Sequence, residues 1–118
     1  QAGAAMSAAA DAATSASGSL ADRFRMDGMV AVVTGSGRGI GRGIAVGLAD
    51  CGADVVVTAR RQAEIDGVVA EVRSRGRRAI GVAGDIRDSS FISDLVARTV
   101  SELGRLDVWV SNAGGAEH

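Results

Sequence analysis

The chain of 118 residues has no tyrosine, no lysine, one cysteine and one histidine. Each scarcity closes a class of chemistry. With Cys51 alone, no internal disulfide can form. Cys51 sits beside Gly52 with no basic or metal-ligand cluster around it, which marks a small buried thiol rather than a reactive one. His118 is the only histidine and the last residue, so no metal site of the ordinary His/Cys kind is expected. Without lysine there is no Walker A loop, because the side chain that reaches the terminal phosphates is missing. The 13 basic residues, all arginine, are balanced by 14 acids to a net charge of −1, which implies no general affinity for nucleic acid. No run approaches the ~20 apolar residues needed to span a bilayer, so no membrane partner is expected.

The first 22 residues are rich in Ala and Ser and read as a disordered leader ahead of a folded unit over 23–118. They lack the basic start and Leu/Val-rich centre of a secretory signal, which leaves the cytoplasm as the expected location. Strand and helix signals then alternate. Val30–Thr34 is a first strand; Ile40, Ile44 and Leu48 recur at four-residue spacing on a helix that Gly52 stops. Ala53–Thr58 is a second strand, apolar through its middle as a strand covered on both faces should be. Ile65, Val68, Val69 and Val72 mark the inner stripe of a second helix closed by Gly76. The arginines at 73, 75, 77 and 78 crowd its end, where solvated cations complement the helix dipole.

Ala79–Ala83 is a third strand. A third helix follows, capped by Asp88 or Ser89 and stopped by Gly104, with Ile92, Leu95, Val96, Thr99 and Leu103 inward. Leu106–Val110 is a fourth strand, leading into Ser111-Asn112-Ala113-Gly114. Right-handed crossovers turn this order into an α/β fold: a partial, Rossmann-like, doubly wound parallel sheet of four strands in the order 3-2-1-4, with three helices.

Chemistry concentrates where the first strand meets the first helix. The segment reads Thr34-Gly35-Ser36-Gly37-Arg38-Gly39-Ile40-Gly41. Glycines delivered by a strand onto a helix start expose backbone N–H groups and the positive helix end to an anion, and let a diphosphate approach closely. The spacing is TGxxxGxG rather than the GxGxxG dinucleotide fingerprint. The end of the second strand narrows the ligand. NAD sites usually place an acid there for the ribose hydroxyls. Here the residues are Thr58-Ala59-Arg60-Arg61, and the nearest acid, Glu64, is already inside the next helix. A guanidinium at Arg60, with Arg38 from the loop, suits a 2′-phosphate that a carboxylate would repel, so NADP is expected over NAD. Asp85-Ile86, after the third strand, offers an acceptor for an adenine amino group, and Asn112 follows the fourth strand at the sheet's carboxyl edge.

With these motifs in this order, the chain resembles the short-chain dehydrogenase/reductase family over about Phe24 to Gly115. The loop at 34–41 matches the family's cofactor loop, Asp85 its adenine-contacting aspartate, and Ser111-Asn112-Ala113-Gly114 its NNAG segment with Ser for the first Asn. The resemblance implies that Asn112 and its neighbours Ala113 and Gly114 brace the central strand and line the nicotinamide side, and that Arg38 and Arg60 occupy positions basic in the NADP-preferring branch. It also implies reduction of ketones or oxidation of secondary alcohols, by a homo-oligomer in the complete form. The family's Ser…Tyr-x-x-x-Lys acid/base set belongs to a fifth strand and following helix, so no catalytic residue is assigned here.

Two expectations follow: the amino-terminal half of an NADP-dependent oxidoreductase acting on a small alcohol or ketone, or a non-catalytic NADP-binding module or inactive truncated remnant. The first accounts for Val108-Trp109-Val110, which would otherwise form an unpaired edge. It predicts Tyr-x-x-x-Lys within ~50 residues downstream in the coding sequence, about one βα unit on. A translated reading frame closing at His118 would favour the binding module.

Overall fold

The structure, a computed structural model, describes residues 24–112. The leader expected over 1–22, and Ala113 and Gly114 at the other end, lie outside the described residues. The elements run β1 (Val30–Thr34), α1 (Gly39–Asp50), β2 (Asp54–Ala59), α2 (Gln62–Ser74), β3 (Ala79–Ala83), α3 (Ser89–Leu103) and β4 (Val108–Val110). The four strands form one parallel sheet in the order β3-β2-β1-β4. Among the described residues, expectation and structure agree on class, order and helix count.

β1 and β2 are buried along their whole length because helices cover both faces of the sheet. On one face Val33, Val55 and Val57 pack with Ile44 and Leu48 of α1 and with Ile65, Val68 and Val72 of α2. On the other, Val30, Val32 and Val56 pack with Leu95 and Leu103 of α3, flanked by Phe91 and Trp109. The alternation of valines along each strand thus feeds two cores at once, which defines a doubly wound sheet. The helices stop where their glycines fall, and Gly104 shows the reason: it caps α3 at φ 90°, a left-handed conformation that costs other residues, and donates its N–H to the Val100 carbonyl at 2.9 Å.

Three local expectations need correction. Ile40 belongs to no inner stripe: at 73% exposure it stands clear of the core, in the first turn of α1. β4 begins at Val108 rather than Leu106, because Asp107 replaces the ladder there. Its carboxylate accepts the Val30 N–H at 2.8 Å while its own N–H donates to the Val30 carbonyl at 2.9 Å. Finally, the arginines after α2 are not all simply solvated. Asp54, 4% exposed, is held by Arg77 at 3.1 Å and by Arg78 at 2.9 Å, so its buried charge is neutralised at the amino edge of β2.

Leu48 is 1% exposed in the α1 face of the core. Leu48→Ala should lower unfolding free energy by ~2–5 kcal/mol in a denaturant titration, whereas truncating exposed Ile40 should leave it within ~0.5 kcal/mol.

Candidate functional site

The carboxyl ends of β1, β2 and β3 and the segment after β4 meet around the loop that joins β1 to α1. Gly35, Ser36 and Gly37 are buried, and the loop is tied down from two sides. On the β2 side, Ser36 donates its N–H to the Thr58 carbonyl at 3.0 Å, its hydroxyl donates to the Val33 carbonyl at 2.7 Å, and the same hydroxyl accepts the Thr58 N–H at 3.1 Å. Both polar groups of Ser36 are therefore committed to the scaffold. These bonds fix the loop's path at Ser36, one of the residues expected to border the cofactor.

On the β4 side, Thr34 Oγ1 accepts the Asn112 N–H at 2.9 Å, and Asn112 Nδ2 donates to the Gly35 carbonyl at 3.2 Å. This contact exists because residue 41 is glycine. A Cβ on Gly41 would fall inside both the Gly35 carbonyl oxygen and the Asn112 amide nitrogen. Gly41 thus serves close packing of α1 against the loop and the carboxyl edge of the sheet. Asn112 is thereby bonded to the end of β1 and to the first residue of the loop.

What remains open is the start of α1. Arg38 is its N-cap residue, in extended conformation, and makes no capping bond through its side chain. The first turn holds no acidic residue. Gly39, at φ 62°, has nothing within 4 Å of the place a Cβ would take. By contrast, α3 is capped by Asp88, whose carboxylate accepts the Ser90 N–H at 2.9 Å. The first N–H groups of α1 have no side-chain cap and carry the positive end of a twelve-residue helix, and the space beside Gly39 is open among the described residues. That fits a diphosphate group in chemistry and in room.

The charged residues around this opening differ in how far they are engaged. Arg38 is exposed and has no ion-pair partner among the described residues. Arg60 lies 3.9 Å from Asp85, a loose pair bridging the ends of β2 and β3. Asp85 itself is gripped by Arg87, through Nη2 at 2.9 Å and the backbone N–H at 2.9 Å. Hydrogen bonds from the Arg87 side chain, then its backbone amide, then the charges of Arg87 and Arg60, hold the Asp85 carboxyl down to about 2. An adenine amino group would have to share this carboxylate with Arg87. Ile86 beside it is half-buried.

One neighbour of the loop was missed by sequence reasoning. Glu64, in the first turn of α2, turns back so that its Cβ and Oε1 lie 3.0 Å from where a Gly37 Cβ would be; Ala59 Cβ, at the end of β2, lies 3.1 Å from the same point. The signal was available, since side chains in a helix lean toward its N-terminus, here toward the β2 end and the loop.

The short chain dehydrogenase family profile matches residues 29–118, and the chain belongs to that family. An uncharacterized oxidoreductase of Mycobacterium tuberculosis is 43% identical over 94 residues, which cover 80% of this chain and 36% of that protein. A 7α-hydroxysteroid dehydrogenase solved with NADH and 7-oxo glycochenodeoxycholic acid superposes with a TM-score of 0.77 at 39% identity, covering 80% of this chain and 37% of that one. The L-sorbose reductase of Gluconobacter frateurii, solved with NADPH and L-sorbose, gives a TM-score of 0.73 at 35% identity, covering 77% and 35%. The chain thus spans little more than a third of the length of the relatives it matches. Among the described residues, no helix is long and apolar enough to cross a membrane, and no group of acidic, Cys or His side chains could hold a metal ion.

Two outcomes test this geometry. Gly41→Ala should destabilise the fold by ~1–3 kcal/mol in a denaturant titration, because the neighbour in the way is backbone, which cannot swing aside. Arg87→Ala should raise the titration midpoint of Asp85 from about 2 toward 3.8, read by carboxyl-carbon NMR. The sign follows from linkage: a carboxyl depressed in the folded state contributes stability above its unfolded value, and loses it as pH falls from 3.8 to about 2. Solvent screens so exposed a pair, so the stability change should be small even where the midpoint moves.

Proposed function

We propose that this chain supplies the cofactor-binding part of an NADP-dependent oxidoreductase that reduces ketones or oxidises secondary alcohols. The observation that carries the reading is the uncapped start of α1, bordered by the unpartnered Arg38 and by Arg60 at the end of β2. In this reading the backbone of Gly35, Gly39, Ile40 and Gly41 receives the diphosphate, and Arg38 and Arg60 hold the 2′-phosphate. Asp85 and Ile86 border the adenine, and Asn112 supports the nicotinamide side with Ala113 and Gly114 after it. Ser36, held in the loop by its bonds to β2, borders the same diphosphate. The bound nicotinamide supplies hydride transfer to or from a carbonyl carbon. The proposal extends, through the family resemblance, to a small-molecule substrate, a homo-oligomer and the cytoplasm. It is supported by relatives solved with nicotinamide cofactors of both kinds.

Arg60 would exchange a loose partner, Asp85 at 3.9 Å, for a phosphate dianion, an exchange that costs little in lost pairing. Charge-assisted hydrogen bonds contribute ~1.5–3 kcal/mol each, so Arg38→Ala or Arg60→Ala should weaken NADPH binding about tenfold or more and leave NADH nearly unchanged. Thermal-shift titrations of both dinucleotides check this. Equal losses for NADPH and NADH would remove the arginines from the 2′-phosphate site.

A further inference from the structure

Glu64 is the acid that bears on the phosphate loop, and it is poorly paired. Its Oε2 lies 4.0 Å from Arg61 Nη1, and its side chain is 28% exposed. Among the described residues it accepts no hydrogen bond, whereas Asp54, Asp85, Asp88 and Asp107 accept several or close ones. Two small residues border it: Gly37, whose missing side chain leaves the space that Glu64 lines, and Ala59, whose Cβ meets the same point from the β2 side.

That corner has a defined place in this architecture. With the diphosphate at the start of α1, the adenosine ribose lies beside the end of β2, where an acid ordinarily accepts its hydroxyl protons. Here the β2 terminus holds Ala59, and the carboxylate against the loop comes instead from α2.

We propose that Glu64 is a cofactor-specificity residue: its carboxylate faces the adenosine ribose, accepts the 2′-hydroxyl of NAD(H), and opposes the 2′-phosphate of NADP(H). The inference rests on the nicotinamide-cofactor reading above. It makes the site a balance, with Arg38 and Arg60 favouring the phosphorylated dinucleotide and Glu64 narrowing that preference. A carboxylate and a phosphate dianion repel at short range with little screening where one is half-buried, while a carboxylate and a hydroxyl form a charge-assisted hydrogen bond. Removing the charge while keeping the shape should move the two affinities in opposite directions.

The test is calorimetric titration of the full chain and of Glu64→Gln with NADPH, NADH, and the adenosine-end probes 2′,5′-ADP and 5′-AMP. Glu64→Gln should tighten NADPH and 2′,5′-ADP several-fold and weaken NADH and 5′-AMP several-fold, shifting the preference ratio by about tenfold. The gain for 2′,5′-ADP should shrink as salt rises. Glu64→Ala serves as second variant and should weaken NADH further, with thermal unfolding without ligand confirming that both variants fold. If wild type binds both dinucleotides and their ratio is the same in both variants, Glu64 has no part in selection and the inference is overturned. If wild type binds neither dinucleotide, the nicotinamide-cofactor reading falls and takes this inference with it.

Discussion

The contact among Gly41, the Gly35 carbonyl and the Asn112 amide ties three parts of the molecule to one point. Gly35 opens the turn out of β1, Gly41 lies in the first turn of α1, and Asn112 follows β4. A single missing Cβ lets helix, loop and sheet edge meet there. With the Ser36 bonds to β2 on the other side, the loop is held at both flanks before any ligand arrives. Its backbone cannot collapse onto the helix start, so the uncapped N–H groups of α1 stay open. Preorganisation of this kind lowers the ordering cost of binding an anion.

The core explains why the site sits where it does. Two layers of helix press on β1 and β2 from opposite faces, and the apolar side chains of those strands are spent on packing. Polar function is left to the strand ends. At the amino edge the charges are structural, as in the Asp54 cluster, whose carboxylate is satisfied by Arg77 and Arg78. At the carboxyl edge they are loosely paired or free, as with Arg38, Arg60 and Glu64. Of the charged groups argued to meet a ligand, Arg38, Arg60 and Glu64 keep a vacancy, while Asp85 is engaged by Arg87.

The fold was legible in the sequence because its signals are local and agree with one another. Valine-rich runs bounded by glycines make strands buried on both faces, and i, i+4 apolar spacing makes the covering helices. The glycine loop was legible for the same reason, as a strand-to-helix turn with a spacing of its own. Other features depended on partners distant in sequence. Nothing near Ile40 shows that this first-turn position of α1 stands clear of the core. Ser36 reads as a polar loop residue until Thr58 is placed beside it, and Asp107 reads as strand until the Val30 N–H is seen to end on its carboxylate. Glu64 was set aside because it lies inside a helix, although helix geometry tips its side chain back toward the β2 end.

The account turns on the backbone of the loop and first turn of α1 receiving the diphosphate. Backbone amide NMR during titration with NADPH tests this most directly. The largest shifts should fall on Gly35, Gly37, Gly39, Ile40 and Gly41, with smaller ones at Asp85 and Asn112. Saturable binding that leaves the amides of residues 35–41 unmoved, and shifts others instead, would contradict it.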